Sequence, residues 1–342
     1  MLTKRLLAWT LAASMLAAAP AAVMANDSTA ELRTGGLVLT KTTAIEMRSE
    51  DLFISATEVK VRYVFRNTSA ADVTTTVAFP MPDITTDGID DMISIPTEDP
   101  QNILGFTTLV DGKPVAMKIE QRAFKNGVDR TAYLQKLGIP LAPHLDGTNQ
   151  ALDALPQATK DQLVKLDLAI VDEYDAGKGW EKHWRARWTL KTTYHWTQTF
   201  PAGKDLLVEH RYTPSVGASA GTSVGSPYAA KDENYKPTVA RYCVDSGMLA
   251  AVEAGKKKAK AEYPPYTEQR IAYVLVTGAN WKKPIGDFHL TIDKGAPENL
   301  LSFCGTGVKK TGPTRFEIRK ANFTPTKDLY ILILQPYPEG GG

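Results

Sequence analysis

Five histidines stand in the chain, at 144, 183, 195, 210 and 289. Two of them, His195 and His210, lie in strand-like stretches on either side of the turn Pro201-Ala202-Gly203. Antiparallel pairing about that turn sets His195 opposite His210. Glu209 is adjacent in sequence, although strand parity turns it to the other face. Two imidazoles and a carboxylate are the material of a metal site or a general base. The competing reading is a structural or solvent-facing pair. Parity puts His195 on one face with Arg187 and Lys191, and a basic face disfavours a cation. A second oxygen-rich stretch holds Asp83, Asp87, Asp90 and Asp91, donors of the type calcium prefers. Their spacing is not that of a D-x-D-x-D-G loop, and a solvated acidic loop is the plainer account. No G-x-S-x-G, H-E-x-x-H, P-loop or G-x-G-x-x-G is present, so no catalytic residue, metal or cofactor is assigned.

The elements that must carry these residues read as strands. From Trp184 onward, Trp184, Ala186, Trp188, Leu190, Thr192, Tyr194 and Trp196 alternate with basic and polar residues. That predicts a long central strand from about Arg185, with one aromatic face. Trp180 stands ahead of it. Asp205–Tyr212 is expected to return as the partner strand. Upstream, Ile45/Met47 and Leu52/Ile54 alternate, and Glu58–Asn67 alternates clearly. A polar turn at Asn67-Thr68-Ser69 leads back into Asp72–Phe79, which Pro80 and Pro82 end. Ile103–Val110 and Pro114–Gln121 flank an Asp111-Gly112 hairpin turn. Short strands at this spacing predict an antiparallel β-sandwich.

The texture changes after Phe124. Asp129–Leu137 reads as a short helix and Thr159–Tyr174 as a better one, with Leu163, Leu166, Ile170 and Tyr174 on one face. Residues 125–178 are therefore expected to be a helical insertion. Residues 215–237 are rich in Gly, Ser and Ala and read as a flexible linker. Val239–Glu262 reads as a helix ending in Lys256, Lys257, Lys258 and Lys260, and five strands follow. The expected organisation is an N-terminal β-sandwich domain over 26–214, the linker, a helix plus a C-terminal β domain over 238–336, and a flexible tail over 337–342.

Lys4 and Arg5, the apolar run Leu6 to Ala19, and Val23-Met24-Ala25 have the pattern of a secretory signal peptide over residues 1–25, cleaved after Ala25. The run is too short for the roughly 20 residues of a membrane span. The expected location is periplasmic. The whole chain has 40 basic and 38 acidic residues. Without Lys4 and Arg5 the balance is 38 to 38, which argues against a nucleic-acid partner. Cys243 and Cys304, the two cysteines, would meet an oxidising compartment and are expected to form a disulfide. Closing a loop of about 60 residues stabilises by about 4 kcal/mol in the chain-entropy view.

The stretches TGGLVLTKTTAIEMRSEDLFISATEVKVRYVFRN, VAFPMPDI and WTQTFPAGKDLLVEHRYTPSVG resemble the secreted bacterial family known as domain of unknown function 4424. That resemblance implies export and a β-rich fold, and it carries no activity. A second, partial resemblance over about residues 55–120 is to the vault/inter-alpha-trypsin type of sandwich. It rests on Arg66-Asn67, Phe79-Pro80 and GFTTLVDGKPV, and implies a non-enzymatic interaction module. The expected function is therefore an exported, non-enzymatic protein that binds a protein or cell-envelope ligand. Two alternatives stay open: a metal-dependent or general-base hydrolase at His195, Glu209 and His210, and a glycan-binding module using aromatics near Trp180 and Trp184.

Overall fold

A computed structural model describes residues 26–33, 36–86, 93–175, 177, 179–231, 233 and 235–337. Residues 1–25, which carry the expected leader, the acidic residues Asp87, Asp90 and Asp91, and 338–342 of the expected tail lie outside the described residues. The fold is mostly β, as the alternation predicts, with three larger sheets and a two-stranded hairpin among the described residues.

The first sheet is organised around Thr189–Phe200. Lys118–Lys125 pairs on one side of it and Val73–Pro80 on the other, and Ser28–Arg33 and Gly36–Thr40 continue beyond Val73–Pro80. The second sheet has eight strands. In spatial order they are Lys309–Lys310, Arg315–Phe323, Ile285–Asp293, Ile45–Ile54, Val59–Asn67, Asp205–Tyr212, Thr107–Val110 and Lys113–Pro114. The third sheet runs Leu300–Phe303, Leu329–Pro336, Tyr266–Tyr273, Val216–Ser219 and Ile93–Ser94. All three line one core. Phe79 and Trp196 come from the first sheet, Val61 and Phe65 from the second, and Tyr273 and Ile331 from the third. Leu329–Pro336 is apolar on both faces because it is covered twice. Ile331 and Ile333 enter that core, while Leu332 and Leu334 meet Tyr242, Met248 and Val252 of the helices behind.

Several expectations change once strand neighbours are known. Residues 26–214 and 238–336 do not form separate sheets: Ile45–Ile54 pairs in parallel with Ile285–Asp293, from Ser49 opposite Asp287 to Ile54 opposite Ile292. The stretch 215–237 is no free linker either, since Val216–Ser219 is a strand and a helix already begins at Tyr235. Strand pairing with Tyr266–Tyr273 and Ile93–Ser94, which local composition does not record, holds Val216–Ser219 in place.

In the insertion, helices cover Thr131–Lys136, Asp146–Asp153 and Gln157–Lys165. Ile170 and Tyr174 belong instead to the strand Ala169–Asp175, paired with Trp180–Ala186. Asp167 at positive φ ends the helix two residues earlier. The expected basic helix is two helices, Tyr235–Tyr242 and Ser246–Ala259, divided at Cys243, whose φ is 53°. Asp245 starts the second by accepting from the Met248 amide at 2.8 Å, an N-cap that satisfies an orphan donor. The long aromatic strand is interrupted after Ala186, yet its parity survives. Trp184, Ala186, Trp188, Leu190, Tyr194 and Trp196 are all buried. Trp184 and Trp188 serve the core of the insertion, and Tyr194 and Trp196 serve the main core.

Candidate functional site

The strands carrying His195 and His210 do not form a hairpin. Thr189–Phe200 lies in the first sheet and Asp205–Tyr212 in the second. His195 stands opposite Lys118 and Ala78, whereas His210 stands opposite Val61 and Thr108. The residues between them carry the chain from one sheet to the other. A second crossing, after Val59–Asn67, locks onto the first. Asn67 Nδ2 donates to the Phe200 carbonyl at 2.8 Å, the Gly203 amide donates to the Asn67 carbonyl at 3.0 Å, and the Ala202 amide to Asp72 Oδ1 at 2.8 Å. Turn residues alone do not distinguish a hairpin from such a corner.

The expected site therefore comes apart. His195 is half-buried on the outer side of the first sheet, and burial lowers its pKa against the opposing pull of Glu120. Glu209 faces outward with Arg62 Nε 3.9 Å away. Arg187 donates to Asp167 Oδ1 at 2.6 Å, within the insertion. Asp83 accepts from Lys191 at 2.6 Å, and no cluster of metal-ligand residues occurs among the described residues. Cys243 and Cys304 are joined as expected, tying the two helices to the third sheet. Trp180 is 78% exposed but Trp184 is buried, its ring covered by Lys160 Nζ at 4.1 Å. The two aromatics do not form a joint stacking platform.

Only His210 of the expected trio enters a polar constellation, and its partners are residues the alternation did not single out. Its Nε2 lies 3.0 Å from Asp27 Oδ1 and its Nδ1 2.9 Å from Thr108 Oγ1; that hydroxyl also lies 2.9 Å from the Met117 sulfur. The His210 and Asp27 side chains are closed to solvent. The Tyr63 hydroxyl donates to Asn26 Oδ1 and lies 3.2 Å from the Tyr273 hydroxyl. Asn26 Nδ2 donates to Glu50 Oε2 at 3.1 Å, and Trp281 Nε1 to the Asp27 carbonyl at 2.8 Å. Burial raises Asp27 against the pull of His210. It pushes Glu50 up to about 8, the Asn26 hydrogen bond opposing and the Asp27 charge adding to the rise. Both tyrosines are held well above their ordinary range by burial. The side chains of His210 and Asp27 have no exposed surface, so the cluster is a polar core, and His210 and Thr108 also stand at the wall of the cavity described below.

Glu50 reaches this core through one extra residue. Met47 stands opposite Phe65 and Ser49 opposite Val64, which leaves Arg48 as a bulge. Before it, Ile45 and Met47 face inward; after it, Glu50, Leu52 and Ile54 do. Gly286 on the neighbouring strand admits the bulge, since a Cβ there would lie 2.5 Å from the Arg48 carbonyl oxygen.

The opposite face of the same strands borders a cavity of about 820 Å³. Two cross-strand rows line it: Leu109, Glu209, Arg62 and Asp51, then Thr107, Arg211, Lys60 and Phe53. Pro114, Val115 and Met117 close one side at the sheet edge. Lys60 and Arg211 both pair with Glu58 at 2.6 Å. Arg62, with its carboxylate partner at 3.9 Å, is the least tightly held cation of the three.

A two-layer β-sandwich extended by a third sheet, with a sealed polar core and an open amphipathic groove, is thus the class of protein defined here. The model of the family described as domain of unknown function (DUF4424) matches residues 25–332, and the chain belongs to that family. Comparison with curated proteins returns no match. Among solved structures, one similar chain is a Legionella pneumophila protein proposed to bind a nutrient. It is 16% identical, with 91% of this chain and 70% of that chain covered and a TM-score of 0.43.

Proposed function

We propose that this is an exported, non-enzymatic periplasmic protein that binds an envelope ligand in the groove over the second sheet. The observation that carries the reading is the cavity itself. About 820 Å³ lies within the range of small-molecule sites. Phe53, Leu109 and Val115 offer apolar surface, and Arg62 offers a weakly engaged cation beside them. A ligand with an apolar body and one carboxylate or phosphate suits that arrangement. The dispersal of His195, Glu209 and His210 weighs against the hydrolase reading. No helix among the described residues is long and apolar enough to cross a membrane.

The test is a thermal-shift screen of the chain starting at Asn26 against envelope lipids, short peptides and oligosaccharides. A ligand that raises Tm with the native chain, loses that effect in Arg62→Ala and keeps it in Trp180→Ala supports the groove. A ligand whose effect vanishes only in Trp180→Ala moves the site to the insertion. Turnover of a defined substrate by the purified chain defeats the non-enzymatic reading. Cell fractionation and the mass of the exported protein test the leader.

A further inference from the structure

The first described residues of the chain are threaded through its interior. Asn26, Asp27 and Ser28 are fully buried. Their side chains and carbonyls meet Tyr63, Glu50, His210, Asn280 and Trp281, which come from both ends of the sequence. Two carboxylates lie in this cluster, and each has one oxygen without a partner: Asp27 Oδ2 and Glu50 Oε1. A buried carboxylate oxygen left unpaired is costly. Among the described residues, His210 is the one basic side chain bonded to the cluster, and it serves Asp27 Oδ1. Among the described residues, no cationic side chain is bonded to Glu50.

We propose that the missing cation is the α-ammonium of Asn26, created when the leader is cut, and that the sandwich reaches its full stability only after this cut. The step is a hydrolysis catalysed by a signal peptidase. Water adds across the Ala25–Asn26 bond, Ala25 keeps the carboxylate, and the new amine of Asn26 takes up a proton. The idea rests on the leader reading above. A peptide nitrogen at Asn26 is neutral and has one hydrogen to donate. The ammonium is charged and has three. It is tethered to the side chain that already touches Glu50 and to the residue that bears the Asp27 carboxylate.

The acid–base balance agrees. Burial places Glu50 at about 8 while Asn26 is an amide, close to the roughly 8 of a free α-amine. Facing each other, the acid falls and the amine rises, so both carry charge near neutral pH. The groups packed around them are Asn26, Asp27, Tyr63 and Tyr273, with His210 behind Asp27. The phenols are held too high to titrate there.

The experiment compares the chain starting at Asn26, released by a protease that leaves no scar, with the same chain carrying Gly-Ala ahead of Asn26. The extended chain should melt several degrees lower. In the native-start chain, acylation of the α-amine by acetyl N-hydroxysuccinimide ester at pH 7 should be at least about tenfold slower than in urea, as expected for a protected group. Glu50→Gln should lower the Tm of the native-start chain, yet raise or leave unchanged that of the extended chain. Should Glu50→Gln not fold, the acylation rate of the unsubstituted chain decides. Equal melting together with acylation as fast as in urea overturns the proposal. A mature mass that starts elsewhere than Asn26 overturns the leader reading along with it. A start at Asn26 with a freely acylated amine overturns this inference alone.

Discussion

The strands Ile45–Ile54, Val59–Asn67 and Asp205–Tyr212 have two faces that treat charge in opposite ways. Inward, Glu50, Tyr63 and His210 join Asp27 in a sealed network. Outward, their sequence neighbours Asp51, Arg62 and Glu209 line an open groove. Glu209 and His210 are consecutive, as are Glu50 and Asp51, so residue type does not explain the difference. Parity does, and on Ile45–Ile54 parity is set by the bulge at Arg48. The inner groups are locked by desolvation and hydrogen bonds. The outer ones are solvent-accessible and screened.

The strongest way to break the comparison is to insert one alanine between Glu50 and Asp51. With the bulge at Arg48 kept, that shifts parity beyond it, turns Leu52 and Ile54 outward and brings Asp51 in. Loss of cooperative unfolding by circular dichroism is expected. Next is His210→Ala, which leaves Asp27 Oδ1 buried without its hydrogen-bond partner and removes a fully buried ring. A loss of about 3–5 kcal/mol in denaturant unfolding is expected. Tyr63→Phe removes the donor to Asn26 Oδ1 and should cost about 1–3 kcal/mol by the same measurement.

A pH series sharpens the inner face. In a chain with Asn26 still an amide, Glu50 is raised from 4.5 to about 8. Its folded form binds the proton more tightly than its unfolded form. Its contribution is therefore full below the unfolded value and lost as pH rises toward about 8. Melting curves should show that decline, and Glu50→Gln should flatten it. The smallest effect belongs to the outer face: Glu209→Ala, beside a half-exposed Arg62 at 3.9 Å, should change stability by less than about 1 kcal/mol.

Much of the strand pattern was legible in the residues. The Trp-rich alternation from Trp184 to Trp196 gave the residues that share one face, and every one of them is buried, because parity is local. The shift from Ile45/Met47 to Leu52/Ile54 also recorded the bulge, and with it the inward turn of Glu50, although alternation alone does not draw the eye to a glutamate. The pairing of His195 with His210 was not legible, since a Pro-Ala-Gly turn serves a hairpin and a sheet-crossing corner alike. The amphipathic spacing through Ile170 and Tyr174 fits a helix until strand pairing with Trp180–Ala186 competes for the segment. Asn26 and Asp27 carry no periodic signal at all, and only contacts with residues such as His210 and Trp281 bury them.

The sequence by itself determined the mainly β character, the aromatic core face, the disulfide pair and the family. The tertiary structure decided which sheet each strand joins, that both ends of the chain share one sheet, and which of two adjacent charged residues is sealed in. The physical reason is range. Alternation, caps and turns act over a few residues, whereas desolvation of Glu50, Asp27 and His210 depends on segments brought together from far along the chain.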